Sequence, residues 1–182
     1  EYTVSGGFVE DGSASKFGRA DLNYGLSKRI TMGAGFEYLS SVSSGPLMPY
    51  INSSVRISNN LLLTGEYIHG VKAGGKLSMR LPSNLQLDVK YDYYDKDQQA
   101  ISYNYRQERK LSLSIPLRIK NFSSYNRIGI KQYVLPLSKY TTGEWLFSGS
   151  FMGMNANLTT YGVFIDKTDP YIYSNLSLAF RL

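Results

Sequence analysis

The chain has no cysteine, one histidine and one tryptophan in 182 residues. Without cysteine there is no disulfide framework, no thiol nucleophile and no Cys-ligated zinc or iron–sulfur site. A single histidine, His69, excludes a His-rich metal site built within this chain. No metal and no cofactor is therefore expected. A run of about 18 apolar residues is also missing, so no transmembrane helix is encoded. Membrane β-barrels stay open, because their strands carry a much weaker hydropathy signal. Dense Lys/Arg runs are absent as well. The net charge of +6 is scattered, no nucleic-acid motif accompanies it, and nucleic acid is not an expected partner.

What the chain does have is aromatic rings and period two. Aromatic residues make up 14% of it, with 16 tyrosines, which argues against disorder. Leu85, Leu87, Val89, Tyr91 and Tyr93 alternate with Gln86, Asp88, Lys90 and Asp92. In a strand these sets point to opposite faces, whereas a helix would mix them. The pattern returns at Ile30, Met32, Ala34, Phe36 and Tyr38, then at Leu111, Leu113, Ile115, Leu117 and Ile119. At the end, Ile172, Leu176, Leu178, Phe180 and Leu182 share a face opposite Tyr173, Asn175 and Ser177. Twelve strands are expected, over 2–9, 16–26, 30–39, 49–57, 61–69, 74–81, 85–94, 101–119, 124–135, 144–153, 157–165 and 171–182.

Short links at 27–29, 58–60, 82–84, 120–123 and 154–156 alternate with mostly longer ones at 10–15, 40–48, 70–73, 95–100, 136–143 and 166–170. That alternation, with an even strand count, predicts an all-β fold: an antiparallel up-and-down transmembrane β-barrel forming one domain over 1–182. Tyr38, Tyr50, Tyr67, Tyr93, Tyr103, Tyr133, Trp145 and Tyr171 fall at the strand ends beside the longer loops, the expected place of an interfacial aromatic girdle. A soluble β-sandwich is the alternative, but its strands are shorter and its connections include long crossings.

Strand phase then assigns the lumen. Arg19, Arg56, Lys76, Arg80, Lys90, Arg118, Arg127, Lys131 and Arg181 are expected to point inward, along with Asp21, Glu37, Glu66, Asp88, Asp92 and Glu108. Mixed signs with a basic excess suit an anion-biased pore, or charges that pair across strands and fill the interior.

The ending Tyr171-Ile172-Tyr173-Ser174-Asn175-Leu176-Ser177-Leu178-Ala179-Phe180-Arg181-Leu182 resembles the last strand of Gram-negative outer-membrane β-barrel proteins. The segment from Tyr24-Gly25-Leu26 through Ile30-Thr31 to Gly33, Gly35 and Tyr38 is similar to hairpins of the same proteins, fimbrial ushers and small porins included. The resemblance implies a bacterial outer-membrane location. It further implies contact with the lipid bilayer and lipopolysaccharide, and an assembly signal at Leu178, Phe180 and Leu182 that the barrel-assembly machinery reads. Other envelope proteins would be further partners. In that family the terminal residue is usually aromatic, whereas here it is Leu182 with Phe180 two positions before it.

The chain starts at Glu1 with no Met and no basic-plus-apolar leader. A complete small barrel after signal-peptide removal and the C-terminal part of a larger barrel are both compatible with that start. Transport or secretion through a polar lumen is the expected function, and no catalytic residue is expected. A closed accessory barrel scaffolding an envelope complex is the second reading. A surface lipid hydrolase using His69 is the weakest, because no serine spacing singles out a nucleophile. Gly70 to Lys76 has phosphate-loop spacing, but Leu77 follows and no helix does.

Overall fold

The computed structural model describes residues 1–8, 15–43, 45–101, 103–166 and 168–180. Twelve strands form one antiparallel up-and-down sheet in sequential order: β1 (Tyr2–Phe8), β2 (Lys16–Gly25), β3 (Ile30–Leu39), β4 (Leu47–Ser58), β5 (Leu61–Ile68), β6 (Lys72–Arg80), β7 (Gln86–Tyr94), β8 (Gln107–Ile119), β9 (Phe122–Val134), β10 (Lys139–Phe151), β11 (Met154–Ile165) and β12 (Tyr171–Phe180). No helix among the described residues is long and apolar enough to cross a membrane. Contacts divide the chain into two compact units. Unit one holds Glu1–Lys76 with Asp92–Arg106, and unit two holds Leu77–Tyr91 with Gln107–Leu182.

The short connections are built by local chemistry. Ser27 Oγ accepts from the backbone N–H groups of Arg29 and Ile30, and Ser58 Oγ accepts from that of Asn60. Such local side-chain bonds are why serine recurs at turns. Between β10 and β11 the turn is Met152-Gly153, both left-handed at φ 47 and 84. That conformation matches the twist of paired strands and favours glycine at the second position. The sequence reading placed this link at 154–156. The structure starts β11 at Met154 instead, because two left-handed residues already reverse the chain.

The larger difference is at β8. Strand was expected from residue 101, but β8 begins at Gln107. Gln98 explains this: its side chain accepts from the Ile101 N–H and donates to the carbonyls of Ile101 and Tyr103. One side chain thus takes up backbone groups that a strand would have given to a ladder. Ile101 and Ala100 pack, with Leu39, against a small buried cluster of Met48, Tyr50, Ile68 and Val71 in unit one.

Outside that cluster, many apolar strand residues are exposed while several polar ones are buried. In unit one, Leu22, Met32, Phe36, Ile51 and Leu63 are exposed, while Asp92 is 2% exposed. In unit two, Leu111, Ile128, Ile130 and Trp145 are exposed, while Ser112 and Thr142 are buried. Contiguous exposed apolar patches of this kind occur at protein–protein and membrane interaction surfaces.

Candidate functional site

Register fixes which side chains share a face. In unit one, Arg19 is opposite Glu37, Gly35 lies between Asp21 and Tyr50, and Asn52 is opposite Glu66. These residues make one polar face of β2 to β5. Arg19 is its centre: Nε is 3.2 Å from Asp21 Oδ1 and Nη1 is 2.7 Å from Glu37 Oε1. The guanidinium carbon lies 4.9 Å above the centre of the Tyr50 ring. Asn23 Nδ2 donates to Asp21 Oδ2, and Lys72 Nζ meets Glu66 Oε2 at 2.6 Å. Arg19→Met removes one cation from between two carboxylates. It should lower the unfolding free energy by about 1–2 kcal/mol. Adding Glu37→Gln should recover part of that loss, and urea titration of the single and double variants checks the coupling.

The tight spacing of this face depends on glycine. A Cβ on Gly35 would run into the carbonyl oxygen of Ala20 and lie 2.8 Å from both Cζ and Oη of Tyr50. Gly33 is enclosed in the same manner by the Asn23 and Asn52 amides.

In unit two the polar face comprises Lys110, Ser112 and Ser114 of β8, Tyr125, Arg127, Gly129 and Lys131 of β9, Thr142 and Glu144 of β10, and Thr159 and Tyr161 of β11. Ser78 Oγ donates to Asp88 Oδ1 at 2.5 Å, and Gln86 Nε2 donates to Asp88 Oδ2.

All eight cations expected at the lumen and described here, Arg19, Arg56, Lys76, Arg80, Lys90, Arg118, Arg127 and Lys131, share the parity of these polar faces. Register pairs Arg118 with Ser123 and Arg127 with Ser114. Arg56, Arg80 and Arg118 are exposed near strand ends, and Lys76 and Lys90 interact with neighbours. Arg181 and Leu182 lie outside the described residues, while Leu178 and Phe180 are exposed on the apolar side of β12.

The aromatic row divides. Tyr38, Tyr67 and Tyr93 are exposed with the apolar set at strand ends. Trp145 is exposed with them, but β10 starts at Lys139, earlier than the expected 144, so Trp145 is a mid-strand residue paired with Ile128 and not a strand-end one. Tyr50 is only 3% exposed and lies on the polar face under Arg19. Tyr133 is also on the polar side, stacked on Tyr140 at 4.9 Å. Tyr171 takes the parity of Tyr173 and pairs with Val163, opposite Thr142. Tyr103 belongs to the loop before β8 and stacks on Tyr105. Height along a strand selected these rings, but parity decides which face they occupy. Lys110 and Glu144 were missed as face residues. The alternation Lys110, Ser112, Ser114 carried the signal for the first.

His69 lines a cleft of about 240 Å³ among the loops of unit one, with Val42, Met48, Val71, Asp97 and Gln98. Its Nδ1 lies 3.4 Å from Tyr67 Oη. No serine lines this cleft among the described residues, and no group of three or more potential metal ligands occurs there.

Comparison with known proteins finds no match to a family model, a curated protein or a solved structure.

Proposed function

We propose that the chain forms all or part of a β-barrel of the bacterial outer membrane, serving transport or secretion through a polar lumen. One observation carries this reading: in both units the strands turn an exposed apolar set, Leu22, Met32 and Phe36 in unit one and Leu111, Ile128 and Ile130 in unit two, away from a more sheltered set that includes Arg19, Asp21, Glu37, Ser112 and Thr142. A strand-built membrane protein needs that inversion, since lipid takes the place of a core on one face and water or polar side chains fill the other. On this reading the exposed rings of Tyr38, Tyr67 and Tyr93 meet the headgroup layer, and Leu178 and Phe180 present the assembly signal. The bilayer, lipopolysaccharide and the barrel-assembly machinery are the corresponding partners.

The closed accessory barrel remains as a second reading. It is favoured by the paired charges around Arg19 and by the apolar cluster of Met48, Tyr50, Ile68 and Val71, against which Ala100 and Ile101 pack.

Refolded chain should enter liposomes and migrate on gels in a heat-modifiable way. In planar bilayers it should give discrete conductance steps. Insertion without conductance selects the closed form, and a chain that stays monomeric in water without detergent overturns the membrane reading. His69→Ala should leave insertion and conductance unchanged; a lipid-hydrolysis activity abolished by that substitution would restore the enzyme reading.

A further inference from the structure

Midway along the polar face of unit two, one row of cross-strand partners runs Ser112, Gly129, Glu144, Tyr161. The row on one side is Lys110, Lys131, Thr142, and the row on the other is Ser114, Arg127, Leu146. Gly129 has no side chain, so the middle row is hollow between Lys131 and Arg127, which flank it on the same face of β9. These rows, Ser114 and Leu146 excepted, line a cavity of about 20 Å³. That is room for about one water-sized ligand.

The charges around the hollow do not balance. Lys110, Lys131 and Arg127 surround one carboxylate, Glu144, leaving an excess of two positive charges. Lys110 and Lys131 are direct partners across β8 and β9, an arrangement that like charges destabilise. Among the described residues no ion pair ties Glu144 to any of the three cations. All four charged residues are partly sheltered from solvent, which weakens screening by water and salt.

We propose that this hollow binds one small anion, a halide or a single oxygen of an oxyanion. Lys110, Lys131 and Arg127 hold it by charge, and Ser112 and Thr142 contribute buried hydroxyls beside it. Gly129 is the residue that makes the room. The bound anion relieves the Lys110–Lys131 repulsion that the sheet otherwise carries. The site is a property of the folded strands and does not depend on conduction through a membrane.

Gly129→Ala separates a built site from diffuse positive charge. Its Cβ would stand 3.7 Å from Glu144 Oε2 and 3.9 Å from Glu144 Cβ, ordinary contacts that the fold accepts. It fills the hollow and leaves every charge in place. The experiment is chloride-35 NMR line broadening on the refolded whole chain in detergent, with inorganic phosphate as competitor. Wild type should broaden the chloride line saturably. Lys131→Gln and Gly129→Ala should each weaken binding by about tenfold or more. Arg118→Gln, at the far end of β8, should leave binding unchanged. Displacement by phosphate below the chloride concentration identifies an oxyanion as the preferred occupant; its failure to displace identifies a halide. If Lys131→Gln does not refold, Gly129→Ala decides alone. Equal broadening by wild type and Gly129→Ala, or a loss in Arg118→Gln as large as in Lys131→Gln, overturns the site. Silent bilayers together with saturable chloride binding would count against the pore and leave the site standing.

Discussion

Replacing Ile128 by arginine should lower the unfolding free energy in phospholipid vesicles by about 2–4 kcal/mol. That is the cost of a cation near mid-depth on the lipid face of a membrane strand. Ile128 lies well inside β9, between Leu113 of β8 and Trp145 of β10, and is 42% exposed. On a face that meets water, the same substitution would fall within about 0.5 kcal/mol of zero, as most surface changes do. Ser148→Arg supplies the control. It lies on the opposite face of β10, between Tyr125 and Asn157, and is exposed there. Its expected cost stays within about 0.5 kcal/mol. Urea titration of both variants in vesicles measures the difference, and equal costs would remove the lipid-facing assignment of the Ile128 side.

Gly35→Ala should have a comparable effect for a different reason, costing about 3 kcal/mol. The added methyl meets two obstacles at once, the Ala20 carbonyl of β2 and the Tyr50 ring of β4. A flexible side-chain tip would swing aside cheaply, but a strand carbonyl held in a ladder cannot. Combining Gly35→Ala with Tyr50→Leu should therefore recover only part of the loss, because the backbone obstacle persists. Refolding yield and urea midpoint report both variants. A cost below about 0.5 kcal/mol for Gly35→Ala would mean that β2, β3 and β4 do not approach as closely as described.

The sequence carried the strands almost completely, for a physical reason. Period-two alternation is imposed by the two different media on either side of a sheet, so runs such as Leu111 to Ile119 announce both their conformation and their sidedness. What it did not carry was anything decided by an individual side chain choosing a non-ladder partner. Gln98 bonding to Ile101 and Tyr103 delays β8 to Gln107, and no periodicity records that choice. The aromatic row was read by height alone, which leaves the face of each ring open. Tyr50, Tyr133 and Tyr171 share the parity of the polar faces, and counting by twos from Asn52, Lys131 and Tyr173 separates them from Tyr38, Tyr67 and Tyr93. Arg127 and Lys131 were assigned to the polar face one by one, and Lys110 was missed. Their grouping around Gly129 was not, because it required the register of three neighbouring strands.

The sequential strand order has a consequence for how the chain reaches its structure. Each strand bonds only to its neighbours in the chain, and about every second link is a short turn. Loop-closure entropy is then small at every step, and relative contact order is low for an all-β protein of this length. A hairpin forms in about 1–10 μs once its turn is set. Left-handed pairs such as Met152-Gly153 therefore act as starting points from which the sheet grows strand by strand between neighbours in the chain.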